Sequence, residues 1–174
     1  ARLAKPGETA RSTHPGRSRA PHRLASTTFA NWPMFRATPG HSGVSPETAI
    51  NSSSASSLTQ RWTAPLGTPS YTSPAVATST SLRKALVYAG GGNHFYAYPA
   101  GGGAAAWTYK LPAGVVETSP AVFNGAVYFG SSAGTFFALN ASTGALMCSH
   151  NTGQAILASP VVVNSPDGSG PVLY

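Results

Sequence analysis

Apolar residues in this chain come in short runs with no helical spacing. Residues 86–90, 126–130 and 135–139 are built from Val, Leu, Ala, Phe and Tyr with few polar interruptions, and each run is followed by Gly, Ser or Asn. Runs that are apolar on both faces, and rich in β-branched and aromatic side chains, predict short strands in sheets covered on both sides by neighbouring sheets. Residues 140–144, Asn-Ala-Ser-Thr-Gly, supply a side chain that bonds its own backbone and a glycine free to take positive φ, so the chain is expected to reverse there.

The runs belong to a repeat. Ser73-Pro74-Ala75-Val76 returns as Ser119-Pro120-Ala121-Val122 and again as Ser159-Pro160-Val161-Val162, at spacings of 46 and 40 residues. After each copy comes a second strand, at 86–90, 126–130 and 172–174. A third follows in two copies, Phe95-Tyr96-Ala97-Tyr98 and Phe136-Phe137-Ala138-Leu139, each leading into a Gly-containing turn. Four residues past the last glycine of those turns stands Trp107 in one copy and Cys148 in the other. Four short strands in a repeat of about 40 residues is the spacing of a β-propeller blade. The prolines near the strand starts remove a donor where the ladder has not begun.

These residues carry a resemblance. The succession S-P-A-V, V-Y-F-G-S and F-A-L-N-A-S-T-G resembles the pyrroloquinoline-quinone (PQQ)-like, or quinoprotein-like, propeller repeat. So does the opening Trp32-Pro33-Met34-Phe35-Arg36 with Gly40-His41-Ser42-Gly43, over residues 31–174. The resemblance implies an all-β fold, a β-propeller of four-stranded antiparallel blades. The expected organisation is a disordered basic tail over 1–30, an irregular lead-in over 31–57, and an incomplete propeller over 58–174. The propeller would comprise a strand at 58–64, blades at 72–110 and 118–151, and a half blade at 158–174. Closed propellers have about 4 to 8 blades, so about two and a half predict a partial chain, with the remaining blades of the same chain expected beyond it. In that family residues 58–64 would be the outer strand of the last blade, closing the ring.

Composition narrows the class. Charged residues make up only 9% of the chain, and 19 glycines with 15 prolines leave no room for a helical bundle. The net charge of +7 comes mostly from Arg2, Lys5, Arg11, Arg17, Arg19 and Arg23, so the folded part is nearly neutral. A tail that is basic, proline-rich and poor in aromatics offers no platform for stacking bases, and no specific nucleic-acid partner is expected. A single cysteine excludes an intrachain disulfide and every multi-cysteine zinc pattern. No apolar run reaches transmembrane length. The glycine run from Gly90 to Gly92 lacks the final glycine and following helix of a dinucleotide fingerprint, and is a turn.

In a propeller the loops approaching the inner strand and those joining the second and third strands share one face, near the central channel. That geometry selects Tyr71, His94, Glu117 and Gln154 as ligand-face candidates: residues that do not repeat on a frame that does. A solvated loop carboxylate is the commoner use of a residue like Glu117, and a turn position the commoner use of a lone histidine beside glycines. Trp62 and Trp107 fall where the family inserts an indole between blades, and Cys148 takes that position in the next blade, where a buried thiol and a weaker contact are expected. No catalytic residue and no metal ligand is assigned.

Three functions fit the resemblance. The first is a non-catalytic propeller used as a protein-interaction scaffold outside the cytoplasm, whether periplasmic, secreted or at the cell surface. The second is a PQQ- and calcium-dependent quinoprotein dehydrogenase oxidising an alcohol or sugar. The third is a sensor or adhesion domain of a surface protein. Such dehydrogenases are similar to one another in an adjacent cysteine pair, a tryptophan floor and carboxylate calcium ligands. Here no cysteine pair exists, and Glu117 and Asp167 are the only acids after residue 47. The scaffold reading is therefore preferred, with no cofactor evident and PQQ and calcium expected only under the second.

Overall fold

Ten strands and a single-turn 3-10 helix at Ala55–Ser57 form the regular structure of the described residues, 30–67, 70–79 and 83–174, in this computed structural model. The basic tail expected over 1–30 lies, apart from Ala30, outside the described residues. Strands β1 (Ala75–Ser79), β2 (Lys84–Gly91), β3 (His94–Pro99) and β4 (Trp107–Lys110) make one sheet in that order. A second sheet consists of β5 (Ala121–Phe123), β6 (Ala126–Gly130), β7 (Thr135–Asn140) and β8 (Leu146–Asn151). Strands β9 (Val162–Asn164) and β10 (Pro171–Leu173) pair alone. Every pairing is antiparallel between sequence neighbours, which is the meander of a propeller blade.

The Ser-Pro pairs set the blades around a common axis. A residue before proline is held extended, so each serine carries its N–H and its hydroxyl sideways toward the adjacent blades. The Ser73 N–H donates to Ser119 Oγ at 2.9 Å, and the Ser119 N–H donates to Ser159 Oγ at 3.0 Å. Three equivalent positions are thus chained across three blades. Within each blade the preceding threonine ties the first strand to the second: Thr72 Oγ1 accepts from the Gly90 amide and donates to its carbonyl, as Thr118 does with Gly130. The third copy has Ala158 in that place.

Packing between the two full blades explains the runs that are apolar on both faces. Leu86, Tyr88, Phe95 and Ala97 of the first blade meet Val127, Phe129, Phe137 and Leu139 of the second in one buried cluster. Phe95 and Phe129 stack face to face, 4.1 Å apart and within 1° of parallel. The Tyr88 hydroxyl reaches across to the Ala141 carbonyl at 3.1 Å, and burial pushes its pKa up to about 12. Glycine ends the second strand because the next approach loop presses on it: a Cβ on Gly90 would lie 2.4 Å from a methyl of Val116, and one on Gly130 2.4 Å from a methyl of Ile156.

Two expected features depend on a neighbouring blade that is not among the described residues. Residues 58–64 have no sheet neighbour among the described residues and are not in a strand there; Trp62 of this segment donates to the Ala100 carbonyl of the first blade at 3.0 Å. The thiol of Cys148 is exposed, not buried. All six residues of β8 are exposed, since the turn of a further blade that would cover them is absent from the described residues.

Candidate functional site

The approach loops and the turns between second and third strands do gather on one face. The loop at 113–117 lies between turns of both full blades. The Val116 N–H donates to the Gly92 carbonyl at 2.8 Å, and Val115 and Ser132 exchange two hydrogen bonds at 3.0 Å. The next approach loop repeats the device: Ile156 N–H donates to the Ser131 carbonyl at 3.1 Å, and the Gln154 backbone packs directly over Gly134. A Cβ on Gly134 would fall 2.7 Å from the Gln154 carbonyl oxygen, so the close approach requires glycine there.

On this face Tyr71 is 79% exposed, Gln154 is exposed and Glu117 is partly buried. His94 is the first residue of β3, opposite Gly91 and Lys110, and its ring stacks on Tyr96 with centroids 6.0 Å apart. No hydrogen bond or ion pair joins any two of Tyr71, His94, Glu117 and Gln154. They stand as four separate side chains along the approach loops and turns. Among the described residues no three His, Cys, Asp or Glu side chains converge as metal ligands.

Two features escaped the repeat reading. Counting two residues back from each Ser-Pro serine gives Tyr71, Glu117 and Leu157, so Leu157, 65% exposed, is the third blade's equivalent and Gln154 is not. Aligning the three copies reveals it directly. The second is an aromatic ladder. His94, Tyr96 and Tyr98 alternate along β3 and so share the face turned away from the second blade, with Tyr96 and Tyr98 stacked at 5.9 Å and Trp62 beyond them at 6.3 Å. The Tyr96 and Tyr98 hydroxyls donate to the Leu66 and Pro65 carbonyls at 3.3 and 2.8 Å. Burial, and then the neighbouring Tyr96, raise the pKa of Tyr98. An open, mostly apolar cleft of about 410 Å³ lies there, lined by Trp62, Leu66, Pro74, Val87, Ala89 and Tyr98.

The two indoles occupy equivalent places. Trp107 Nε1 donates to the Ala141 carbonyl at 3.0 Å and its ring covers Gly144; Trp62 Nε1 donates to the Ala100 carbonyl at 3.0 Å and its ring covers Gly102. Each caps the turn between third and fourth strands of the blade that follows. Cys148 stands opposite Ala138 in the outer strand, and no such turn reaches it among the described residues.

A family model described as outer membrane protein assembly factor BamB matches residues 47–166. The fold is similar to that of a quinohemoprotein alcohol dehydrogenase from Comamonas testosteroni, at 23% identity and a TM-score of 0.67 over 77% of this chain and 22% of that one. A quinohemoprotein alcohol dehydrogenase from Pseudomonas putida HK5 aligns at 25% identity and a TM-score of 0.67 over 78% of this chain and 22% of that one. A europium-containing methanol dehydrogenase aligns at 22% identity and a TM-score of 0.65, over 77% and 26% of the two chains. The chain thus spans about a quarter or less of the length of these structures. No curated protein matches it.

Proposed function

Since this chain belongs to the PQQ-like propeller-repeat family whose model is described as outer membrane protein assembly factor BamB, we propose that it is part of a non-catalytic propeller that acts as a protein-interaction scaffold outside the cytoplasm. The observation that carries this reading is exposure at equivalent repeat positions. Tyr71 and Leu157 are 79% and 65% exposed on the two sides of Glu117, on a rim fixed by the serine chain and the approach-loop hydrogen bonds. Exposed aromatic and aliphatic side chains held on a rigid frame beside a charge are the elements of a protein-binding patch. No helix among the described residues is long and apolar enough to cross a membrane.

The test is binding of components of the outer membrane protein assembly machinery to the immobilised full-length protein. The double substitution Tyr71→Ala, Glu117→Ala is expected to weaken it at least about tenfold, the loss of roughly 1.4 kcal/mol or more. Binding unchanged by the substitution, or no binding, counts against the scaffold.

The second reading, a quinoprotein dehydrogenase, is favoured by the likeness to alcohol and methanol dehydrogenases. It requires the quinone and calcium to be held by residues outside this chain. Adding PQQ and Ca²⁺ to the full-length protein and following dye-linked oxidation of alcohols and sugars decides between the two: no turnover is expected, and turnover abolished by a calcium chelator would establish the enzyme.

A further inference from the structure

Residues 31–34 run along the channel-facing edge of the inner strands. Trp32 and Val76 exchange both backbone hydrogen bonds as an antiparallel pair, at 2.7 and 2.8 Å. One residue earlier, Asn31 Oδ1 accepts from the Thr78 N–H at 3.0 Å and from its hydroxyl at 3.2 Å. One residue later, the Pro33 carbonyl accepts from the Val122 N–H at 2.7 Å, and Met34, 3% exposed, packs in a cluster with Ala121 and Val162. Four consecutive residues therefore engage β1, β5 and β9, the inner strands of three blades.

The sequence suits the task. Pro33 has no N–H to strand as the segment steps from β1 to β5, and the Asn31 amide continues the pairing by one residue where the main-chain contact ends. Beyond Met34 the chain turns away through Arg36 and Ala37, both left-handed at φ 57° and 71°, with the Arg36 carbonyl accepting from Thr38 and Gly43. Successive amides of an antiparallel strand point to opposite sides. Val76 and Thr78 therefore direct their N–H groups toward the axis, and without the segment they would form a bare sheet edge.

We infer that residues 31–34 are an axial strut: the chain's own segment occupies the hydrogen-bonding edge of the inner strands and joins three successive blades. No extended peptide can add to the inner edge of β1 while the strut is in place. The inference does not depend on what the propeller binds.

Amide hydrogen exchange of the full chain, resolved by residue, tests it. Val76, Thr78 and Val122 are expected to exchange at least about 100-fold more slowly than unstructured amides. Substituting Asn31→Gly, Trp32→Ser, Pro33→Gly and Met34→Ser together is expected to release those three amides while Ala77, which donates toward β2, stays slow. Fast exchange of Val76 and Val122 in the unsubstituted chain, beside a slow Ala77, would overturn the strut. If the variant loses Ala77 protection and has therefore unfolded, the unsubstituted chain alone decides.

Discussion

Replacing Trp107 by alanine removes the indole that joins the first full blade to the second. Its ring is 8% exposed, stacks on Phe95 at 6.0 Å, lies 6.0 Å from Tyr88 and covers Gly144, where an added Cβ would come within 2.6 Å. Deleting an aromatic side chain so enclosed costs about 3–5 kcal/mol. The lost Nε1 hydrogen bond is only about 1 kcal/mol of this, because the Ala141 carbonyl keeps the hydroxyl of Tyr88 as donor. Trp107→Phe, which retains a ring, should therefore cost roughly 1–2 kcal/mol. Cys148 holds the same repeat position in the next blade and is exposed, so Cys148→Ala should change stability by less than about 0.5 kcal/mol. Urea unfolding followed by circular dichroism reads the difference. With a slope of about 2 kcal/mol/M, Trp107→Ala lowers the midpoint by about 1.5–2.5 M at unchanged slope. A midpoint shift for Trp107→Ala no larger than that for Cys148→Ala would refute the packing argument.

Gly130→Ala places a Cβ 2.4 Å from a methyl of Ile156 and should cost about 1–3 kcal/mol by overpacking, read in the same urea titration. The Asp167 carboxylate, hydrogen-bonded first by the Ser165 hydroxyl and then by Ser169, titrates at about 2 instead of 3.8; its contribution is complete above the ordinary value and is lost as pH falls through about 2. Carbon-detected NMR titration should show this, and Ser165→Ala should move the value up. For Tyr88 the sign is opposite: a folded pKa raised to about 12 gives a contribution complete below about pH 10 and lost as pH rises toward 12, visible as falling stability in alkaline urea titrations.

Most of the frame was legible because the repeat imposes it. Ser73, Ser119 and Ser159 recur before prolines, and the structure puts them in one hydrogen-bonded chain. The apolar run at 135–139 forms β7, with Phe137 and Leu139 in the inter-blade core. What the pattern could not convey depended on neighbours. Residues 58–64 have strand-like composition but lack a sheet partner, and Cys148 looked buried because its repeat equivalent Trp107 is. The path of 31–34 along the inner strands left no periodic signal, since four residues pairing in turn with three strands follow no strand or helix period. The site was the least visible part. The candidate residues were selected by their departure from the repeat, and their spacing follows from loop contacts between residues distant in sequence.

Equivalent Ser-Pro positions of successive blades lie side by side. Nuclear Overhauser spectroscopy of the chain tests it at the atoms concerned. Cross-peaks are expected from the Ser73 amide to the Ser119 β-protons and from the Ser119 amide to those of Ser159. Absence of both, with cross-peaks inside the first blade between Ala75 and Tyr88 intact, would contradict it.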